Sequence, residues 1–345
     1  MIDSIEWKKI GQGNYVGALS IHDPREGSPA GRLEIPVGMI ERGNGPTAML
    51  MGGVHGDEPA GPICLIHLFE RLAVMKNMAG RIIICPAANI PAIKAESRFA
   101  PQDHLNMNRC FPGDAAGTIT PRICDQIYSQ IAQHADCLVD VHSGGRGIKY
   151  APAALFPITG DAILNSRCLS LAKSFNSGIV HLHREQDLVP THLTACFQKD
   201  GKPAVMVEVG GTEYLDSDLE ASATAGFMNM LVHINIVQKR EIPHKTKVLF
   251  VHRKGEIYTP YDSYFTSYFE PGAVVSAKSQ IGCLRAFDKL LTSDNPEPIY
   301  APHDSLHLVS RRSMNASKKG DLLYQFGSEI RGSSIEKLLK GNSLP

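Results

Sequence analysis

Three features are missing from this sequence of 345 residues: long apolar runs, an excess of charge of one sign, and Cys-x-x-Cys pairs. No apolar run approaches the roughly 18 residues of a membrane-spanning helix, so we expect no membrane segment. The chain has 35 basic and 35 acidic side chains, and this balance argues against a basic surface for nucleic acid and against an acidic tail. Residues 1–6 have neither a basic nor an apolar region, so they predict no signal peptide.

The eight cysteines are spread along the chain without a spacing pattern. Such a distribution disfavours a structural zinc site made of cysteines and favours reduced, mostly buried thiols. A chain of this length predicts about two domains, and it can bury a large core without disulfides. We therefore expect a globular, cytoplasmic protein.

Between residues 46 and 243, apolar segments alternate with segments of helical periodicity. The segments typical of buried strands are residues 48–51, 81–85, 137–141 and 204–209. The helical segments are residues 59–78, 121–134, 161–176 and 217–238, with Pro59 at the first helical position. This alternation predicts an α/β fold with a mostly parallel or mixed central sheet flanked by helices. Residues 1–45, broken by Gly and Pro, predict an amino-terminal β segment that packs on this domain.

Residues 244–345 predict a separate β-rich module because they contain many turn residues and an internal repeat. The sequence of residues 257–263 is repeated with changes at residues 299–305, and residues 275–280 are more weakly similar to residues 315–320. The duplication predicts a small barrel or sandwich that resembles biotinyl and lipoyl carrier domains. The dipeptide Asp288-Lys289 does not match the carrier spacing, so we expect a module that packs on the preceding domain or builds a homo-oligomer.

Three residues at strand ends suggest a metal site. His55 and Glu58 lie in the turn after the strand at residues 48–51, and His142 follows the strand at residues 137–141. Ligand sites of α/β sheets lie at the carboxyl ends of strands, and two imidazoles with one carboxylate form a catalytic zinc set. For His55 and Glu58 taken alone, the alternative is a capping carboxylate beside a turn histidine.

Glu208 ends the apolar segment at residues 204–209. Burying a carboxylate there is costly unless it has a partner or a chemical role. A position beside zinc-activated water would give it the role of general base, and the alternative is a structural ion pair.

Arg98, Asn108 and Arg109 are candidates for contacts with a substrate. The Arg109 guanidinium and the Asn108 amide match a carboxylate, and Arg98 is suited to stabilise an oxyanion. Taken alone, either arginine is more typical of an ordinary surface charge.

The motifs occur in a characteristic order. Gly-Gly-Val-His-Gly-Asp-Glu is followed by Arg98, Asn-Met-Asn-Arg-Cys-Phe-Pro-Gly, Asp-Val-His-Ser-Gly and Glu-Val-Gly-Gly. Over about residues 45–240 this order resembles the succinylglutamate desuccinylase/aspartoacylase family of zinc carboxypeptidase-like hydrolases. Within that family the sequences around His55, Asn108-Arg109 and Glu208 are most similar to those of deacetylases of N-acetylated diamino acids from ectoine breakdown. This chain has His104 where relatives often have Gly.

The resemblance implies a role for each motif residue. The implied zinc ligands are His55, Glu58 and His142, and Glu208 is the implied base that activates water. Arg98 is implied near the carbonyl, and Asn108 with Arg109 on the substrate carboxylate.

We therefore expect residues 46–243 to form a zinc hydrolase domain with one Zn²⁺ per chain. It would be a deacylase that hydrolyses the amide bond of a small N-acyl amino acid, where the acyl group is acetyl or succinyl. The alternatives are a metallocarboxypeptidase that trims peptides and a non-catalytic binding protein on the same fold. His181, His183 and His192 lie in or near a polar connection and are candidates for a loop at the substrate.

Overall fold

The computed structural model describes residues 2, 5–22, 31–184, 190–212, 214–239, 247–291, 295–302 and 306–340. These ranges contain eighteen β-strands and seven α-helices. The strands are β1 Lys8–Gly11, β2 Asn14–His22, β3 Arg32–Arg42, β4 Thr47–Gly52, β5 Gly80–Cys85, β6 Cys137–His142, β7 Ile148–Tyr150, β8 Ala153–Ile158, β9 Ile179–Arg184, β10 Ala204–Glu208, β11 Lys247–Tyr258, β12 Ser263–Ser267, β13 Val274–Val275, β14 Gln280–Ala286, β15 Glu297–Tyr300, β16 Leu306–Arg312, β17 Ala316–Ser317 and β18 Leu322–Ile330. The helices are α1 Ala60–Ala73, α2 Ile90–Lys94, α3 Ile119–Gln130, α4 Ala162–Ser174, α5 Leu193–Lys199, α6 Ser217–His233 and α7 Ser333–Leu339.

Fourteen of the described strands form one mixed sheet. Its order is β1-β2-β3-β5-β4-β6-β10-β8-β9-β11-β18-β16-β13, and β7 pairs with β16 outside this path. The central strands β5, β4, β6 and β10 are parallel neighbours, whereas β3 and β8 flank them in antiparallel pairs. The predicted α/β fold with a mixed central sheet and flanking helices is confirmed.

Strand β4 shows why the central strands are mostly apolar. All six residues of Thr47–Gly52 are buried. Ala48 and Leu50 face the core shared with α1, α4 and α6, whereas Met49 and Met51 face the core shared with α3 and α5. Because helices cover both faces of the sheet, the strand shows no alternation of polar and apolar residues.

The four predicted helical segments correspond to α1, α3, α4 and α6, although their ends differ, and the short helices α2, α5 and α7 were not predicted. Helix α1 begins immediately after Pro59 and ends at Ala73 rather than near Met78, because Met78 leaves the helix to pair with Val237 in an isolated bridge. Helix α6 also ends before its predicted end, and Asn235 adopts a left-handed φ of 62° just beyond it. None of the described helices combines the length and apolar character needed to cross a bilayer.

The carboxy-terminal residues form the predicted β-rich module. A second, antiparallel sheet has the order β15-β14-β12-β17, and Phe265, Leu284, Leu323 and Tyr324 belong to its small core. The two halves exchange strands, since β12 of the first half pairs with β17 of the second, and β16 of the second pairs with β13 of the first. This reciprocal pairing is the arrangement that a duplicated β module gives.

The module is also continuous with the main sheet. Strand β11 pairs with β9 on one side and with β18 on the other. The division of the chain near residue 243 stays a prediction because residues 240–246 lie outside the described ranges. The same is true of residues 303–305, which end the second copy of the repeat.

We predict that Gly56 is required for the turn between β4 and α1. Its amide donates a hydrogen bond of 3.0 Å to the Ser97 carbonyl, and an added Cβ would lie 2.0 Å from the Ala92 carbonyl oxygen. Overpacking of this kind should lower the free energy of unfolding of Gly56→Ala by about 1–3 kcal/mol, measured by urea denaturation. Gly160→Ala is the matched control, because its Cβ meets no atom within 4 Å. Equal stabilities for the two variants would contradict the prediction.

Candidate metal centre

The carboxyl ends of β4, β6 and β10 meet at one edge of the sheet because these strands are parallel neighbours. His142 is the last residue of β6, and it pairs in register with Glu208, the last residue of β10. His55 and Glu58 lie in the turn that follows β4. The sheet therefore brings together four residues that are distant along the chain.

His55, Glu58 and His142 form a buried cluster. Nδ1 of His55 lies 2.8 Å from Oε1 of Glu58, and Nδ1 of His142 lies 2.9 Å from Oε2 of the same carboxylate. The two imidazole centroids are 5.2 Å apart. One possible ligand atom from each residue lies within 4.8 Å of the other two. The carboxylate is thus held between two imidazoles that present the same ring nitrogen to it.

The opposite ring nitrogens contact residues outside the cluster. Nε2 of His55 lies 3.1 Å from Oδ1 of Asn106, and Nε2 of His142 lies 3.2 Å from Oδ2 of Asp140. Oxygen partners on Nε2 orient an imidazole and leave Nδ1 as the ligand atom. Neither partner was predicted from the sequence. The available signal for Asp140 was its position two residues before His142, which places both on one face of the strand.

The cluster fits a zinc ion by the chemistry of its donors. Two imidazole nitrogens and one carboxylate leave a fourth position open, as catalytic zinc sites do. Within the described ranges, no other group of three His, Cys, Asp or Glu side chains converges in this way. Asp140 is fully buried, and His142 is its ion-pair partner among the described residues. A buried anion requires positive charge nearby. A cation bound at this cluster would supply further positive charge close to Asp140.

The cluster is electrostatically coupled. Burial acts to raise the pKa of Glu58, but the charges and hydrogen bonds of His55 and His142 outweigh it and hold the pKa well below its usual value. Burial acts to lower the pKa of His142, whereas Asp140 and Glu58 raise it well above its usual value. Glu58 is therefore ionised at neutral pH and available as an anionic ligand.

Glu208, at this edge of the sheet, has no ion-pair partner among the described residues. Its Oε2 is buried and makes no hydrogen bond with any described residue. Burial and the negative charge of Glu58 raise the pKa of Glu208 to about 8. A carboxyl group that titrates near neutral pH has the property of a general acid–base catalyst. The described contacts do not support the alternative of a structural ion pair.

Tyr150 is a neighbour of this site that the sequence motifs do not indicate. Its backbone forms an isolated bridge with Gly211, just beyond β10. Its ring packs against Leu249 and Val309 of the carboxy-terminal residues. Burial and the charge of Glu208 raise the pKa of the phenol, so the tyrosine is neutral beside the site.

Arg98 reaches the cluster from the loop after α2. Its Nη1 donates a hydrogen bond of 2.9 Å to Oε1 of Glu58. The side chain is 46% exposed, whereas that of Glu58 is 6% exposed. Arg98 therefore lies at the boundary between the buried cluster and solvent, where a substrate would approach.

Asn108 and Arg109 lie beside the cluster on a short 3₁₀ turn. Asn108 is buried, and its Nδ2 lies 3.5 Å from Nε2 of His142. Its Oδ1 is also buried and makes no hydrogen bond with the described residues. Arg109 is exposed, and its Nη1 contacts the Asn108 carbonyl oxygen and Nε2 of His192. Burial and the positive charge of the nearby Arg98 lower the pKa of Arg109. Two arginines therefore lie close together next to the cluster.

The remaining candidate histidines have different surroundings. His67 is exposed on α1 and pairs with Glu220 at 2.6 Å. His104 is exposed and has a left-handed φ of 54°. His181 is buried on β9, and residues 185–189 of the connection after it lie outside the described ranges.

A mixed sheet of this kind, with a His–Glu–His cluster at its central strand ends, defines a zinc carboxypeptidase-like hydrolase fold. Residues 44–234 match the family model of the succinylglutamate desuccinylase/aspartoacylase catalytic domain. N-alpha-acetyl-L-2,4-diaminobutyric acid deacetylase of Halomonas elongata is 35% identical over 233 residues, which cover 67% of this chain and 68% of the relative. The chain belongs to the succinylglutamate desuccinylase/aspartoacylase family, and it is therefore an amide hydrolase of the deacylase class.

Solved structures agree with this assignment over nearly the whole chain. A succinylglutamate desuccinylase from Silicibacter sp. TM1040 is 29% identical, with a TM-score of 0.86 and coverage of 94% of this chain and 98% of that one. The product-bound ectoine utilization protein EutE (DoeB) from Ruegeria pomeroyi is 30% identical, with a TM-score of 0.84 and the same coverage. Both likenesses extend through the β-rich module.

We predict that the buried Glu208 carboxyl makes the metal-free protein less stable as pH rises. Its pKa is about 8 in the folded protein and near 4.3 in an unfolded chain. The folded state therefore binds more protons between these values, and stability is lost as pH rises through them. Thermal unfolding of the chelator-treated protein should show that Glu208→Gln gains in relative melting temperature between about pH 5 and pH 8. A difference in melting temperature between wild type and Glu208→Gln that does not change with pH would contradict the raised pKa of Glu208.

Proposed function

We propose that this protein is a zinc-dependent deacylase that hydrolyses the amide bond of an N-acyl amino acid by activating water. The observation that carries the proposal is the register between Glu208 and His142. The proposal is supported because the Glu208 carboxyl, which has no ion-pair partner among the described residues, is close enough to the cluster for the charge of Glu58 to raise its pKa. A cluster that served only to bind a metal would not require a second acid there.

The proposed ligands and base have complementary tasks. Zinc held by His55, Glu58 and His142 would act as a Lewis acid that lowers the pKa of water and polarises a carbonyl. Glu208 accepts a proton only as a carboxylate, and a positive charge beside it favours that form. Glu208 would take the proton of the attacking water and pass it to the departing amine.

Arg98 would stabilise the oxygen on which negative charge develops during the attack. Its contact with Glu58 already holds the guanidinium at the cluster, and its exposed part faces the approach from solvent. A positioned cation stabilises such a charge strongly where water is excluded.

Asn108 and Arg109 would bind the α-carboxylate of the substrate. Arg109 uses Nη1 for protein contacts, and guanidinium groups have further N–H donors for a carboxylate. With Arg98 close by, this side of the site favours an anionic substrate. Fixing that carboxylate would orient the amide toward Glu208.

The substrate class is a small N-acyl amino acid, with an acetylated diamino acid as the first choice and an N-succinyl amino acid as the second. The first choice rests on the 35% identity to the Halomonas elongata diaminobutyric acid deacetylase. The succinyl alternative rests on the structural neighbours named succinylglutamate desuccinylase. All eight cysteines are unpaired, which supports a cytoplasmic location. Formation of a homo-oligomer stays a prediction.

We predict that the protein releases acetate or succinate from N-acyl amino acids and does not trim peptides. Purified protein loaded with zinc should be assayed against N-acetyl and N-succinyl amino acids and against amino-terminally blocked peptides. Free amine should appear only with the N-acyl amino acids, since the relatives are named as a deacetylase and a desuccinylase, whereas the carboxylate contacts at Asn108 and Arg109 would suit either substrate. Release of carboxy-terminal residues from the peptides, without deacylation, would instead identify a metallocarboxypeptidase.

We predict that Glu208→Gln separates chemistry from metal binding. Loss of the proton acceptor should lower kcat by about 10²- to 10⁴-fold, with one zinc per chain retained by metal analysis. His142→Ala should lose both zinc and activity, because it removes a ligand. His67→Ala, on the outer face of α1, is the matched control and should retain both. Full hydrolysis by Glu208→Gln would refute the role of Glu208.

A further inference from the structure

His192 contacts the arginine that is proposed to bind the substrate carboxylate. Nε2 of His192 lies 2.5 Å from Nη1 of Arg109. The same Nη1 donates a hydrogen bond of 2.8 Å to the Asn108 carbonyl oxygen. Two acceptors thereby fix one arm of the guanidinium, and the other nitrogens make no hydrogen bond with the described residues.

The two partners are anchored in one core. His192 immediately precedes α5, and the buried Leu193 and Phe197 of that helix belong to the same apolar cluster as Met107 and Phe111. The Phe111 amide also donates a hydrogen bond of 3.1 Å to the carbonyl oxygen of residue 191. The separation of the imidazole and the guanidinium is therefore set by the fold rather than by a flexible surface contact.

The protonation state of His192 follows from its partner. A guanidinium only donates hydrogen bonds, so Nε2 must be the acceptor and the proton of the neutral imidazole lies on Nδ1. Burial and the charge of Arg109 lower the pKa of His192 to about 3. The imidazole is neutral at any working pH and does not repel the guanidinium.

Stability alone does not explain a histidine at this position. His192 is 5% exposed, and its Nδ1 is buried without a hydrogen-bond partner among the described residues. An unmade hydrogen bond at a buried donor is destabilising, and an apolar side chain of similar size would avoid it. The contact with Arg109 is the interaction that the imidazole gains.

We infer that His192 is a positioning residue, whose Nε2 holds the Arg109 guanidinium in the orientation that binds the substrate carboxylate. This inference rests on the proposed function, because it requires Arg109 to contact that carboxylate. His192 itself takes no part in proton transfer to or from the substrate.

The kinetic test compares His192→Leu with His192→Gln, which keeps a polar acceptor on a side chain of similar reach. The substrates are an N-acetyl amino acid and the matching N-acetyl amine that lacks the carboxylate. For the amino acid, His192→Leu should raise KM about tenfold or more, as loss of a hydrogen bond to a charged group does, with zinc content and kcat largely retained. His192→Gln should restore part of the loss, and hydrolysis of the amine should change little.

A double-mutant cycle and a control complete the kinetic test. In an Arg109→Met background, His192→Leu should have no further effect on KM, because the guanidinium that it positions is gone. His67→Leu, at an exposed histidine on α1, should behave as the wild type. Equal losses on both substrates, or additive effects in the cycle, would overturn the inference.

A spectroscopic readout tests the contact without activity. In zinc-loaded protein labelled with ¹⁵N-histidine, the signal missing from His192→Gln identifies His192. It should show a neutral ring protonated on Nδ1, and Arg109→Met should raise its pKa because a neighbouring positive charge is removed. A ring protonated on Nε2, or a pKa insensitive to Arg109→Met, would refute the contact. Wild-type protein that hydrolyses no N-acyl amino acid would refute the proposed function, and with it the inference, whatever the spectrum shows.

Discussion

One carboxylate buried between two imidazoles is the interaction on which this site depends. Glu58 is ionised in the interior only because His55 and His142 approach its two oxygens. His142 ends β6 and His55 lies in the turn after β4, so the approach requires β4 and β6 to be neighbours in the sheet. The two strands pair in register and are covered by helices on both faces, and this packing sets the distances in the cluster.

Around this interaction the side chains form successive layers. Asn106 and Asp140 hold the outer nitrogens of the two imidazoles, and His192 contacts the exposed Arg109. Asp140 and His192 are as buried as the cluster itself, whereas Arg109 is exposed. The pattern separates the residues proposed to perform chemistry from those that orient them.

Much of the fold and the proposed ligand set was predictable from local patterns. The central strands contain apolar runs, and three of the four motifs fall at or just after strand ends, so the sequence predicted that His55, Glu58, His142 and Glu208 meet at one edge of the sheet. The fourth motif, which carries Asn108 and Arg109, lies on a 3₁₀ turn instead. Helix ends were less predictable, because the end of α1 depends on a bridge between Met78 and a residue far along the chain. Asn106, Asp140, Tyr150 and the contact of His192 were missed or left without a role, since their partners are set by tertiary packing rather than by spacing.

The continuity of the main sheet into the carboxy-terminal residues has a consequence for how this chain can be divided. Strand β16 pairs with β7, and Val309 packs under Tyr150 near Glu208. Cutting the chain before β11 would expose the edges of β9 and β7, and open edges promote aggregation. The β-rich portion therefore contributes to the packing around the proposed base and is not an independent domain. Replacing it with an unrelated domain would change the surroundings of Glu208 even if His55, Glu58 and His142 kept their positions.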